Sequence, residues 1–260
     1  MAFYDIRFAS QLAANPDIAC VVTTPELAHL VPERVGLALA ADAKTAFYEL
    51  HTYLSQKTTF YWRDFPTVID ASSKVHGSAY VAPTNVQIGP GCVVEAGAVI
   101  FEKTLMAEEV VIRAGAVIGG EGFEPKYVGR RHVIIHHAGG VRLHSGVEVQ
   151  ANSHIARAVF GGFTTVGQDS KIDALVHIAH DVVIGQRCEI AAGSIIGGST
   201  RIGNEVWIGP PEISSEIVIG DGAFISLGAV VTRNVAPGQH VSGNFAIDHD
   251  RFLAFIKSIR

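Results

Sequence analysis

Cysteine, tryptophan and methionine are scarce in this chain of 260 residues, with three, two and two copies. Cys20, Cys92 and Cys188 are too few and too scattered for a disulfide framework or a cysteine-rich zinc site. Charged residues make up only 17% and balance to −5. With no long run of Lys or Arg, there is no electrostatic case for nucleic acid as a partner. No stretch of about 18 uninterrupted apolar residues is present to span a bilayer, and Asp5 and Arg7 stand where a signal peptide would be apolar. These absences lead to the expectation of a soluble, cytoplasmic protein without a transmembrane segment. Hydrophobic residues, at 48%, are ample for one core plus a small appendage.

What the chain does have is a register. Val166, Ile172, Ile178, Ile184, Ile190, Ile196, Ile202 and Ile208 recur at an unbroken spacing of six, each followed by Gly, Ala or Asp. The fifth position of each unit is small or β-branched: Ser170, Val176, Val182, Cys188, Ser194, Thr200, Val206. A fifth position and the next first lie two apart, so in an extended segment they share one face. The residues between must turn a corner, which a following Gly or Asp permits. Stacked copies make a solenoid of short parallel strands around an aliphatic column.

In chain order, residues 1–66 lack the hexad and read as a small α/β domain. Ile18 to Thr24 and Gly36 to Ala41 look like buried strands, and Asp42 can cap a helix over Lys44 to Ser55. The solenoid is assigned to 67–235. Its register starts near Val68, gains one residue after Val81, breaks at 119–140 and loses one residue between Ile208 and Ile219. The break, GGEGFEPKYVGRRHVIIHHAGG, is too long for a corner, and its Phe123, Tyr127, Arg130 and Arg131 favour a functional loop. Residues 236–260 form a tail in which Phe252, Phe255 and Ile256 have helical spacing. His180 occupies the third position of its hexad, outside the inward-facing first and fifth, and so belongs on the surface. Cys92 and Cys188 fall at small-residue positions and read as core filler.

The periodicity resembles that of the hexapeptide-repeat acyltransferases. This implies a mainly β fold: a left-handed parallel β-helix of triangular coils, three hexads to a turn, assembled as a homotrimer, with a small α/β N-terminal domain and a short C-terminal helix. More specifically, KIDALVHIAHDVVIG (171–185) resembles the segment that carries the catalytic histidine of the UDP-3-O-(3-hydroxyacyl)glucosamine N-acyltransferases of the lipid A pathway. AVIGGEGF (116–123) is similar to that family's Gly-Gly-Asp-Gly-Phe loop, and GVRLHSGVEVQANSHIAR (140–157) follows the same order. DAKTAFYELHTYL (42–54) looks like the end of its nucleotide-binding domain.

The resemblance implies that His180 is the general base, taking a proton from an acceptor amine as that amine attacks an acyl thioester. Asp173 matches an Asp that could orient the imidazole, although a turn Asp is an equal reading. With three hexads per turn, residues 18 apart stack on coils about 4.8 Å apart. His180 is thereby followed by Gly198, which matches the backbone N–H donor for the oxyanion. The candidate substrate-binding residues are Phe123 of the similar loop, Arg157 of the altered Ile-Asp-Arg-Gly motif, His177 in place of a Gln near the sugar-binding edge, and Phe8, which with Phe3 could replace the base-stacking aromatics.

The implied partners are an acyl carrier protein or coenzyme A thioester and a UDP- or other nucleotide-linked amino sugar, with no cofactor and no metal. The chain also departs from the pattern. A second histidine two coils above the base is replaced by Ser215 or Glu216, Ile-Asp-Arg-Gly becomes Ile155, Ala156, Arg157, Ala158, and Ala174 and His177 replace an Asn and a Gln. GAVVTRNVAPGQHVSGNFA (228–246) instead resembles the closing segment of acetyl-CoA-dependent sugar acetyltransferases. Two further readings stay open. One is a γ-type carbonic anhydrase using zinc on three histidines drawn from His132, His136, His137, His177 and His180; the other is a non-catalytic trimeric scaffold.

Overall fold

The computed structural model describes residues 2–3, 5–243 and 249–258. The chain divides into two compact units, residues 1–63 with 123–138 and 159–161, and residues 64–122 with 139–158 and 162–260. The division differs from the expected one, because the middle of the long loop belongs to the N-terminal unit and the C-terminal tail groups with the solenoid.

The second unit is a left-handed parallel β-helix with three parallel sheets of eight, nine and eight strands among the described residues. Its strands pair at the expected interval: Val166 lies beside Ile184 and Ile184 beside Ile202. First positions point inward, with Ile172, Ile178, Ile196 and Ile208 fully buried. Polar fifth positions are buried too, and they stay satisfied by bonding to the neighbouring coil. Ser170 Oγ donates to the Gly185 carbonyl at 2.8 Å and Thr200 Oγ1 to the Ser214 carbonyl at 3.1 Å.

The corners form differently from the expectation. The turning residue is the fourth of each hexad, which takes a left-handed φ of 58° at Asp169, 59° at Leu175 and Asp181, and 60° at Ser199. The small second position answers to crowding instead: a Cβ on Gly167 or Gly185 would stand 2.4 Å from the carbonyl oxygen of the next coil. The missing residue is located between Ile208 and Ile213, where Gly209, Pro210 and Pro211 shorten one corner, so that Ile195 pairs with Glu212.

Because each coil contacts only its neighbours, losing core volume in one coil weakens that coil and its two interfaces. Ile196→Ala is expected to destabilise the solenoid by roughly 2–5 kcal/mol, read as a lower urea midpoint with unchanged slope. A change under about 0.5 kcal/mol would contradict the burial of Ile196 in the aliphatic column.

In the N-terminal unit, β1 (Ala2–Phe3), β2 (Cys20–Thr23) and β3 (Gly36–Leu39) make a parallel three-stranded sheet. Helix α1 (Ala9–Ala14) contributes Leu12 to a small core with Val21 and Val35. Helix α2 (Ala43–Lys57) begins at Asp42, whose carboxylate accepts from Thr45 N–H at 2.9 Å. Part of the long loop folds as a hairpin of Pro125–Val128 and Arg131–Ile134. Its turn residues Gly129 and Arg130 both have positive φ, as a two-residue turn matched to strand twist requires.

His51 on α2 is fully buried and ties this hairpin down. Nε2 donates to the His136 carbonyl at 2.8 Å, so Nδ1 accepts from the Tyr61 hydroxyl at 2.9 Å, and burial keeps the imidazole below the usual histidine range. In the tail, α3 (His249–Ser258) is helical as expected. Asp248 and residues 244–247 and 259–260, and the side chains of Phe3 and Phe252, lie outside the described residues. No helix is long and apolar enough to cross a membrane among the described residues.

Candidate active site

His180 stands on the solenoid edge between the strand His177–Ile178 and the strand Val183–Ile184. Its side chain is 16% exposed, and Nδ1 lies 2.9 Å from Asp181 Oδ2. Asp181 is the left-handed fourth position of the same corner, and its N–H donates to Thr164 Oγ1 at 2.9 Å on the coil below. The corner backbone thus turns the carboxylate back towards the ring that precedes it. A carboxylate at Nδ1 fixes the proton there and leaves the lone pair on Nε2.

Gly198 is the residue stacked on His180. Ser199 N–H donates to the His180 carbonyl at 2.9 Å, and Glu216 N–H donates to the Gly198 carbonyl at 2.9 Å. The imidazole lies across the Gly198 Cα, so a Cβ there would meet Cε1 at 2.7 Å and Nε2 at 2.8 Å. The Gly198 N–H makes no hydrogen bond among the described residues.

Asp173 does not join this group. It occupies the preceding corner, where Oδ1 accepts from Ala174 N–H at 2.7 Å and Oδ2 from Ala192 N–H at 3.2 Å. There it lines a surface hollow of about 330 Å³ with Lys171, Glu189 and Trp207. The residue oriented on His180 is Asp181, and adjacency in sequence was the signal available for it.

Arg157 lies on the same edge as His180, one coil below, but it is buried. Nε donates to the Gly119 carbonyl at 2.7 Å and Nη1 to Glu102 Oε1 at 3.2 Å, so the guanidinium closes the root of the long loop. His177 pairs in register with His154, and their rings stack at 5.3 Å and 6°. Partial desolvation of the half-buried His154 and the more exposed His177 lowers both imidazoles from the usual histidine range, and for His154 the proximity of His177 adds to the effect. His154 was not singled out from sequence because the five extra residues at Gly161 hide its 23-residue offset from His177. In the N-terminal unit, Phe8 is 40% and Phe123 79% exposed, with Arg7 5.7 Å above the Phe8 ring. No three His, Cys, Asp or Glu side chains among the described residues of the single chain converge as a metal-ligand set.

Residues 163–198, the stretch containing His180 and Gly198, match the bacterial transferase hexapeptide (six repeats) family. The chain is 41% identical over 140 residues to a UDP-3-O-acylglucosamine N-acyltransferase of Caulobacter sp. (strain K31), covering 54% of this chain and 41% of that one. It is 33% identical over 171 residues to the protein of that name from Wolinella succinogenes, covering 65% and 54%. The chain thus spans about half the length of these curated relatives. Among solved structures, the UDP-N-acetylglucosamine O-acyltransferase of Moraxella catarrhalis RH4 shares the fold with a TM-score of 0.57 at 24% identity, over 75% of this chain and 81% of that one. Repeat, fold and relatives together make the chain similar to the hexapeptide-repeat acyltransferases.

Proposed function

We propose that the chain transfers an acyl group, 3-hydroxyacyl by the resemblance of its central segment, from a carrier-protein or coenzyme A thioester to the amine of a nucleotide-linked amino sugar. The setting is lipid A or surface-glycan synthesis, and the working form is a homotrimer. The observation that carries this reading is His180 seated on Gly198 with Asp181 at Nδ1. Nε2 takes a proton from the amine as its nitrogen attacks the thioester carbonyl carbon. The Gly198 N–H donates to the oxyanion that forms. Collapse of the tetrahedral intermediate breaks the C–S bond, and the imidazolium returns the proton to the leaving thiolate. The Asp181 carboxylate stabilises the imidazolium in between.

Mass spectrometry of products from UDP-amino sugars with 3-hydroxyacyl carrier protein and with acetyl-CoA tests the reading. Product from the long-chain carrier supports it, and product from acetyl-CoA alone moves the chain to sugar acetylation, as its 228–246 segment suggests. Absence of product from every pair favours the scaffold.

The two aspartates separate in the same assay. Asp181→Asn is expected to lower turnover on the order of tenfold or more, because the amide cannot stabilise the imidazolium. Asp173→Asn is expected to stay within about twofold, as for a surface change away from the reacting groups. The reverse ranking would return the orienting role to Asp173.

A further inference from the structure

The N-terminal unit contains a cavity of about 350 Å³ walled by Phe47, Leu50 and Leu54 of α2, by Phe60 and Tyr61 after it, and by Phe160. The rings meet edge to face, Phe47 to Phe160 at 5.7 Å and Phe60 to Tyr61 at 4.9 Å. Two of them, Phe60 at 66% and Phe160 at 38%, are exposed to solvent.

The polar groups of the wall are already committed. His51 and the Tyr61 hydroxyl bond each other at 2.9 Å, and the other ring nitrogen of His51 holds the His136 carbonyl. A ligand inside the cavity therefore meets carbon, and a nucleobase or sugar placed there would lose its hydrogen bonds with water without replacement. A wall of this kind selects a flexible apolar group. An engineered apolar cavity of about 150 Å³ holds one benzene, and by that scale this one takes roughly a dozen carbon atoms.

We infer that this cavity is a binding site for a medium-length alkyl chain, separate from the acyl-transfer edge at His180. The inference does not rest on the proposed activity, because it uses only the lining of the N-terminal unit. The chain could arrive as a free fatty acid or as the acyl group of a thioester, and both present the same methylenes.

The test is calorimetric titration of the whole protein with dodecanoate, with dodecanoyl-pantetheine, and with phosphatidylglycerol vesicles. Saturable one-site binding with a negative heat-capacity change, the mark of apolar burial, is expected for dodecanoate, and for the thioester a site that the wall variants weaken and His180→Ala does not, beside any binding at the acyl-transfer edge; the tighter ligand at that site names the source. Leu50→Gln, which places an amide in the wall, and Leu54→Trp, which fills the space, should each weaken binding at least tenfold. His180→Ala should leave it unchanged. Circular dichroism establishes that each variant is folded, and if one is not, the other decides. Absence of saturable binding, equal affinity in the folded wall variants, loss in His180→Ala, or association with vesicles alone would overturn the site.

Discussion

His180→Ala is expected to fold as the parent does and to lose roughly two to four orders of magnitude in turnover, the usual contribution of a positioned general base. Folding should survive because the ring projects outward from the third position of its hexad, while the column it stands on, Ile178 and Val182, remains buried and unchanged. Some catalysis should remain, since the Gly198 N–H and the binding surface still act on the thioester. KM for the amino sugar should move less than kcat, because the imidazole acts on the amine as it gains charge rather than in holding the substrate. Steady-state rates against the parent, with thermal unfolding alongside, check both halves. Activity within a few-fold of the parent would remove His180 from the chemistry and with it the proposed mechanism.

The hexad made the solenoid legible because burial acts on every coil alike: each first position must be apolar, and eight of them in a row are. The corners had no such uniformity. Asp169, Leu175, Asp181, Arg187 and Ser199 all take the left-handed turn, yet they share no chemistry, so no residue type marked the turning position in the sequence. The pairing of Asp173 with His180 failed for a related reason. Seven residues in a triangular coil carry the chain to a different edge, whereas about eighteen return it to the same one, so Asp173 and His180 face different directions. The long loop was recognisable as foreign to the register, but not as part of the N-terminal unit. The His51 to His136 bond that anchors it spans 85 residues, and no local pattern records a contact of that kind.

Gly198→Ala should lower turnover about a hundredfold, the scale of a displacement near 1 Å of a reacting group, while leaving both the base and the oxyanion donor chemically present. The added methyl would sit 2.7 Å from His180 Cε1 and 2.8 Å from Nε2, closer than carbon atoms pack. The backbone cannot yield easily, since Gly198 O accepts from Glu216 N–H and the His180 carbonyl accepts from Ser199 N–H. The ring must therefore swing away, and its Asp181 contact goes with it. Gly77→Ala serves as the control, because a Cβ there meets nothing within 4 Å. A double-mutant cycle decides the cause. If the methyl acts by moving the imidazole, His180→Ala with Gly198→Ala should be no slower than His180→Ala alone, because the group that would be displaced is already gone. Losses that instead multiply would mean that the alanine harms the oxyanion donor or the fold independently, and the seating of His180 on Gly198 would then have no catalytic role.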